Sequence, residues 1–202
     1  MRLLIASMNR GKVMEIRALL GLALQRVVEV VALAELPAVA QPLEDGKTFA
    51  ENARFKALHY AKEHKILCIA DDSGLAVEPL KGLPGVYSAR FAGVGASDEA
   101  NNAHLLHELA PFARPWKAAF VCVAAAALPG RVVAEATGKA EGEILPEGRG
   151  RDGFGYDPLF FVPSLGKTMA ELSTEEKNRI SHRGHALRAL ISEMKNAGLL
   201  LA

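Results

Sequence analysis

Two adjacent carboxylates, Asp71 and Asp72, close the apolar run Leu67-Cys68-Ile69-Ala70 and are followed at once by Ser73 and Gly74. Acids at the point where a hydrophobic strand leaves a sheet stand at the rim where open α/β folds bind ligands. Side chains alternate along a strand, so the two acids face opposite ways: one meets a metal ion or a water, and the other braces the turn. The same Asp-Ser-Gly run also suits an ordinary turn with no ligand, and the residues alone leave both readings open. A second candidate is Ser7-Met8-Asn9-Arg10-Gly11-Lys12, between an apolar run and a helical one. Free backbone N–H groups and a lysine at a helix start make an anion site. The spacing is not that of a Walker phosphate loop, and a plain helix start with a solvated lysine fits the stretch equally well.

A third candidate is Gly148-Arg149-Gly150-Arg151-Asp152-Gly153-Phe154-Gly155-Tyr156-Asp157-Pro158. Glycines on both sides of Phe154 let the backbone approach a ligand while the ring is offered for stacking; an aromatic plug in a tight turn has the same composition. His182 and Arg183 fall in the first turn of a helix, where cations oppose the helix dipole. Such local conflicts are expected at functional sites. Glu44 stands in a polar loop with no structural task visible from the sequence, and Lys56 is placed to reach a ligand at the start of its helix or to remain solvated. His104 and His107, three apart, lack a third ligand and the spacing of a zinc helix.

These residues need elements to position them. Leu3–Ala6 reads as a strand, followed by a helix with Val13, Ile16, Leu19 and Leu20 on one face. Val27–Leu33 reads as a second strand, and Glu35–Lys47 as a polar connection. Thr48-Phe49-Ala50-Glu51 is a capping box opening a helix to about Lys62. The central strand is expected to end at the acids, with a further short strand at Leu75–Glu78 and a glycine-rich loop over Lys81–Gly95. Ser97-Asp98-Glu99 starts a helix to Leu109. Lys117–Leu128 turns through Pro129-Gly130 into Arg131–Glu135, an antiparallel pair added to a sheet with parallel elements. Leu159–Val162 is a strand, Ser173–Lys177 a helical turn, and a last helix buries Leu187, Leu190, Ile191 and Met194 and ends near Gly198.

The bulk properties set limits. A chain of 202 residues, half of them hydrophobic, buries a substantial core. A net charge of +1 gives no ground for broad binding to nucleic acid or to a membrane surface, so any bound anion must be met by locally placed lysines and arginines. Cys68 and Cys122 both lie in strand-like runs and read as buried thiols in a reducing compartment. The longest apolar run, Ala118–Leu128, is short of the roughly 18 residues a spanning helix requires, and the first residues are too short an apolar stretch for a signal peptide. The expectation is a soluble, cytoplasmic protein.

Acids for a divalent cation, several lysines, a helix N-terminus, an aromatic loop and a His-Arg pair together suit a nucleoside triphosphate. In order along the chain, Ser7–Lys12, Phe49-Ala50-Glu51-Asn52-Ala53 with Lys56, Ala70–Leu75 with Pro84–Arg90, Gly153–Pro158 and Ser181-His182-Arg183 resemble the signatures of the inosine triphosphatase family, the Ham1-like pyrophosphatases of deaminated purine nucleotides. The resemblance implies an α/β fold with a long mixed central sheet flanked by helices, a single domain over residues 1–202 made of two lobes with a nucleotide cleft between them, and a homodimer. It implies hydrolysis of ITP, dITP and XTP to the monophosphate and pyrophosphate with Mg²⁺. It assigns Ser7, Met8, Asn9, Arg10, Gly11, Lys12 and Lys56 to the triphosphate and Glu44 and Asp72 to the metal. Asp72 is also the proton acceptor, and Ser73 lines the same pocket. Phe154, Gly155, Tyr156, Asp157, Lys177, His182 and Arg183 surround base and sugar. Two other readings stand beside this one. A Maf-type nucleotide pyrophosphatase is disfavoured by Phe154, His182 and Arg183, and a non-catalytic nucleotide sensor by Glu44 and Asp72.

Overall fold

The computed structural model describes residues 1–23 and 28–200. Among them twelve regular elements follow in order: β1 (Arg2–Ile5), α1 (Arg10–Ala23), β2 (Glu29–Ala32), α2 (Phe49–His64), β3 (Leu67–Val77), α3 (Asp98–Leu109), β4 (Trp116–Leu128), β5 (Arg131–Ile144), β6 (Phe160–Val162), β7 (Lys167–Thr168), α4 (Thr174–Ile180) and α5 (His182–Asn196). The seven strands form one sheet in the order β2-β1-β3-β4-β5-β6-β7. β1 runs parallel to both β2 and β3, whereas β6 is antiparallel to β5 and β7. The sheet is therefore mixed and flanked by helices, as the sequence implied.

The chain divides into two compact units. The first holds Met1–Asp72, Cys122–Gly138 and the chain from His182 on; the second holds Ser73–Val121 and Lys139–Ser181. In the first unit β1 is buried on both sides, with Leu3, Leu4 and Ile5 wholly inaccessible, the pattern of a parallel strand covered by helices. Alternation sorts the residues. Leu3, Ile5, Leu67 and Ile69 pack with Ile16 and Leu20 of α1 and Leu187, Leu190 and Met194 of α5. Leu4, Ala6, Cys68 and Ala70 pack with Ala53, Ala57, Tyr60 and Ala61 of α2. Each fully buried leucine or isoleucine contributes about 1.5–3 kcal/mol. In the second unit Leu75, Val77, Leu105, Leu109, Phe120, Phe160 and Met169 form a separate core.

Several elements depart from the sequence-based expectation. β3 does not stop at the acids but runs through them for 11 residues to Val77. Leu75 and Val77 are wholly buried, and the Leu75 N–H donates to the Ser88 hydroxyl at 2.9 Å, so extended backbone past Gly74 keeps its apolar side chains and its donor satisfied. β5 extends nine residues beyond Glu135, because exposed Lys139 and Glu141 alternate with small buried Gly138 and Ala140. β2 covers Glu29–Ala32, and Leu33–Glu35 is a 3₁₀ turn; Val27, expected to begin that strand, lies outside the described residues. The glycine-rich 81–95 loop contains a 3₁₀ helix over Gly85–Arg90. Leu199 and Leu200 pack on the first unit's core, while Leu201 lies outside the described residues. No helix among the described residues is long and apolar enough to cross a membrane.

Gly138 of β5 sits under the start of α5: a Cβ there would overlap the His182 carbonyl and the Ala186 amide, both backbone groups that cannot rotate away. Gly138→Ala is expected to destabilise the protein by about 1–3 kcal/mol, with Tm falling roughly 2–4 °C per kcal/mol in a chain of this size. An unchanged melting curve would show that α5 is not pinned there.

Candidate active site

In the first unit the candidate side chains gather around the carboxyl end of β1 and the middle of β3. The Ala6 N–H donates to the Ile69 carbonyl at 2.8 Å, which places the Ser7–Lys12 turn beside Asp71. That turn is organised by its own side chains. The Asn9 N–H donates to Ser7 Oγ (3.2 Å), and Asn9 Oδ1 accepts from the Lys12 N–H (3.0 Å). Asn9 thereby caps α1, a job done by Asn, Asp, Ser or Thr at this position because the first-turn amides have no acceptor within the helix. Met8 and Arg10 are exposed, Ser7, Gly11 and Lys12 half-buried.

Asp71 and Asp72 face opposite ways, as alternation requires. Asp71 points to the α1/α5 side and is wholly buried. Its Oδ2 meets Lys12 Nζ at 3.1 Å and Arg183 Nε at 3.3 Å, with the Cys122 thiol at 3.8 Å. Arg183, itself buried, also bonds Glu15. Burial by itself would push the Asp71 carboxyl up, but the charges of Lys12, Arg183 and Lys56 outweigh it and hold the group well below the usual carboxylate range. Burial likewise works against the Arg183 charge, and Asp71 and Glu15 reverse it. The two acids answer the conflict of a cation in the first turn of α5. Burial pushes both cysteine thiols up, out of the range where they ionise near neutral pH.

Asp72 points to the α2 side. Its Oδ1 accepts from Lys56 Nζ at 3.1 Å and its Oδ2 from Asn52 Nδ2 at 3.0 Å. Lys56 also donates to Glu44 Oε2 at 3.2 Å. Burial opposes the Lys56 charge, but Asp72, Asp71 and Glu44 more than compensate and raise its affinity for the proton. Asn52 Oδ1 accepts from the Gly46 N–H at 2.9 Å, tying the loop that carries Glu44 to α2. The Thr48 hydroxyl caps α2 through the Glu51 N–H (3.1 Å), but the Glu51 carboxylate reaches the Lys47 N–H (2.7 Å), one residue earlier than a capping box requires.

Glu44 and Asp72 thus present carboxylate oxygens to one cationic position, where the Lys56 ammonium stands. Two hard oxygen ligands, with the remaining positions left to water and phosphate, are what Mg²⁺ takes, so this donor set fits the ion the resemblance implies. Among the described residues no group of three His, Cys, Asp or Glu side chains is arranged to hold a metal. A protein-only cage is not what such an ion requires.

The second unit holds Ser73, Phe154, Gly155, Tyr156, Asp157 and Lys177, and His182 belongs to the first. Ser73 is half-buried at its β3 position. Asp157, buried, accepts from the Phe154 N–H at 2.9 Å and from Lys177 Nζ at 2.6 Å. The same ammonium lies 4.7 Å from the Phe154 ring centroid, within cation–π range. A Cβ at Gly153 would strike the Asp157 carboxylate. The Tyr156 ring is buried and its hydroxyl donates to the Ser88 carbonyl at 2.8 Å, so this side chain anchors the loop; the Gly155 backbone is bonded by Asp98 and Asn102 of α3. His182 is buried at the first position of α5. Sequence reasoning missed Glu15, Asn52, Asp98 and Asn102. Glu15 carried a signal, an acid three residues after Lys12 on the face that also bears Ile16 and Leu19. Asn52 stood within the Phe49–Ala53 signature without being given a role, and Asn102 carried no signal.

Paired buried carboxylates in the middle of a parallel-paired strand, each answered by a lysine or arginine, mark out the candidate site of an α/β enzyme. The profile of the Ham1 family matches residues 3–193. The dITP/XTP pyrophosphatase of Desulfotalea psychrophila is 48% identical over 191 residues, 95% of this chain and 84% of that protein. The dITP/XTP pyrophosphatase of Desulforamulus reducens is 50% identical over 189 residues, 93% of this chain and 92% of that protein. The solved structure of the Staphylococcus aureus Ham1 protein superposes with a TM-score of 0.84 at 41% identity, covering 97% of this chain and 99% of that one. The chain belongs to the Ham1 family and is a hydrolase.

The buried Asp157–Lys177 pair yields a direct test. Removing one partner of such a pair costs about 3–5 kcal/mol, because the other charge is left uncompensated, whereas removing both costs much less. Urea unfolding of Asp157→Asn, Lys177→Met and the double variant should therefore show the double less destabilised than the sum of the singles. Strict additivity would mean that the two groups do not depend on one another.

Proposed function

We propose that this chain hydrolyses dITP, ITP and XTP to the nucleoside monophosphate and pyrophosphate, and so removes deaminated purines from the nucleotide pool. The names of its relatives support the substrate class. The observation that carries the chemistry is Asp72, a largely buried carboxylate held from two sides by Asn52 and Lys56, with Glu44 on the same ammonium. Lys12, Lys56 and the first-turn amides of α1 bind the phosphates. Phosphate oxygens replace the carboxylates as partners of the two ammonium groups, leaving Asp72 to take a proton from the attacking water. The water oxygen bonds the α-phosphorus, the bond to the bridging oxygen breaks, and the lysines stabilise the departing pyrophosphate. Glu44 and Asp72 would hold magnesium, which would neutralise phosphate charge and make the water more acidic.

In the second unit the Phe154 ring stacks on the purine, with Lys177 and Asp157 beside it; in the first unit His182 and Arg183 take the base-and-sugar roles that the resemblance assigns them. A site that donates to a 6-keto oxygen leaves those donors unpaired against the amino group of adenine, which can reject ATP by roughly 10⁴-fold. Excluding GTP has to depend on the guanine 2-amino group. The whole chain acts as one catalytic domain of two lobes, in a homodimer and in the cytoplasm, with the nucleotide as its ligand and neither nucleic acid nor membrane as a partner; the family match from residue 3 to 193 is in keeping with a single domain.

Assayed with magnesium, the protein should release pyrophosphate from dITP, ITP and XTP and little from ATP or GTP. Orthophosphate as the product, or equal turnover of ATP, would contradict the proposal. Asp72→Asn should lower kcat by about 10²–10⁴-fold with the circular dichroism spectrum unchanged; near-normal turnover would remove Asp72 as proton acceptor.

A further inference from the structure

The segment that carries Phe154 has to be held from outside. Gly153 and Gly155 flank the ring at φ +80° and +63°, a region glycine enters freely, so the backbone alone leaves the ring many orientations. Asp157 restrains one end through the Phe154 N–H. A further restraint comes from α3, a helix elsewhere in the sequence. Asp98 Oδ2 accepts from the Gly155 N–H at 2.6 Å, and Asn102 Nδ2 donates to the Gly155 carbonyl at 3.0 Å. Residues four apart share a helix face, and here two such side chains take both polar groups of a single glycine.

Two details show that neither residue is at its position for the sake of α3. The helix is capped by Ser97, whose hydroxyl accepts from the Ala100 N–H at 3.2 Å, so the Asp98 carboxylate is spent on Gly155. Asn102 Oδ1 is buried and has no hydrogen-bond partner among the described residues. An orphaned buried oxygen is a cost that an apolar side chain would avoid; the amide stands there for what its Nδ2 does.

We propose that Asp98 and Asn102 are positioning residues for the nucleobase, clamping Gly155 so that the Phe154 ring is held ready for stacking. The proposal rests on the stacking role given to Phe154 above. Ordering the ring before the substrate arrives lowers the cost of binding, so the clamp acts on KM and leaves the chemical step alone.

The test is a set of dITP kinetics on Asp98→Ala/Asn102→Ala, Phe154→Ala and the triple variant, with Asp98→Asn as the conservative control. The clamp variant should raise KM about tenfold with kcat within about twofold of the parent. Asp98→Asn, which keeps an oxygen to accept from Gly155, should stay within about threefold of the parent KM. On the Phe154→Ala background the clamp substitutions should change KM by less than about twofold, because the ring they serve is gone. Hydrogen exchange at the Gly155 amide should quicken in the clamp variant but not in Phe154→Ala. A parent-like KM in the clamp variant, where Phe154→Ala raises it, overturns the clamp, as does a clamp effect that persists undiminished without the ring. An unchanged KM in Phe154→Ala overturns the stacking reading and the clamp with it.

Discussion

Two carboxylates side by side in the middle of a buried strand constrain everything around them. Taking an ionised acid out of water costs several kcal/mol unless a cation and hydrogen-bond donors replace the solvent. Alternation sends Asp71 and Asp72 to opposite faces of β3, so each face must bring its own compensation. On one face α1 supplies Lys12 and α5 supplies Arg183; on the other α2 supplies Asn52 and Lys56.

The two faces then take different tasks. Asp71 is wholly buried and held ionised by three cations, a fixed negative centre that orients Lys12 and Arg183. Asp72 shares its lysine with Glu44, which lies in a partly exposed loop. A carboxylate pair that shares one ammonium can exchange that partner for another cation, whereas Asp71 keeps the buried Arg183 even when Lys12 turns to a phosphate. The surroundings, rather than the residue type, separate the wholly buried acid from the one proposed to react.

Much of this was legible in the sequence, and the misses have physical causes. Alternation alone separated the roles of Asp71 and Asp72, and the helix starts at Thr48 and Ser173 were readable because hydroxyl caps are local chemistry. The length of β3 was not, since Asp-Asp-Ser-Gly has turn composition and only pairing with flanking strands keeps it extended. Glu51 made half of a capping box and then reached one residue further back. Asn52, Asp98 and Asn102 act on backbone or side chains far away in sequence. An acid at the start of a helix looks like a dipole partner, and nothing in the local pattern says that its oxygen is aimed at Gly155.

The acid facing α2 is proposed as the place of reaction. A crystal structure of Asp72→Asn grown with dITP and magnesium tests it most directly, because the slowed variant retains its substrate. The innermost phosphate should lie beside position 72, with Lys12 and Lys56 on the phosphate oxygens and the ion on Glu44. A triphosphate bound away from β3, with Lys56 still on Glu44 and position 72 facing only protein, would contradict it.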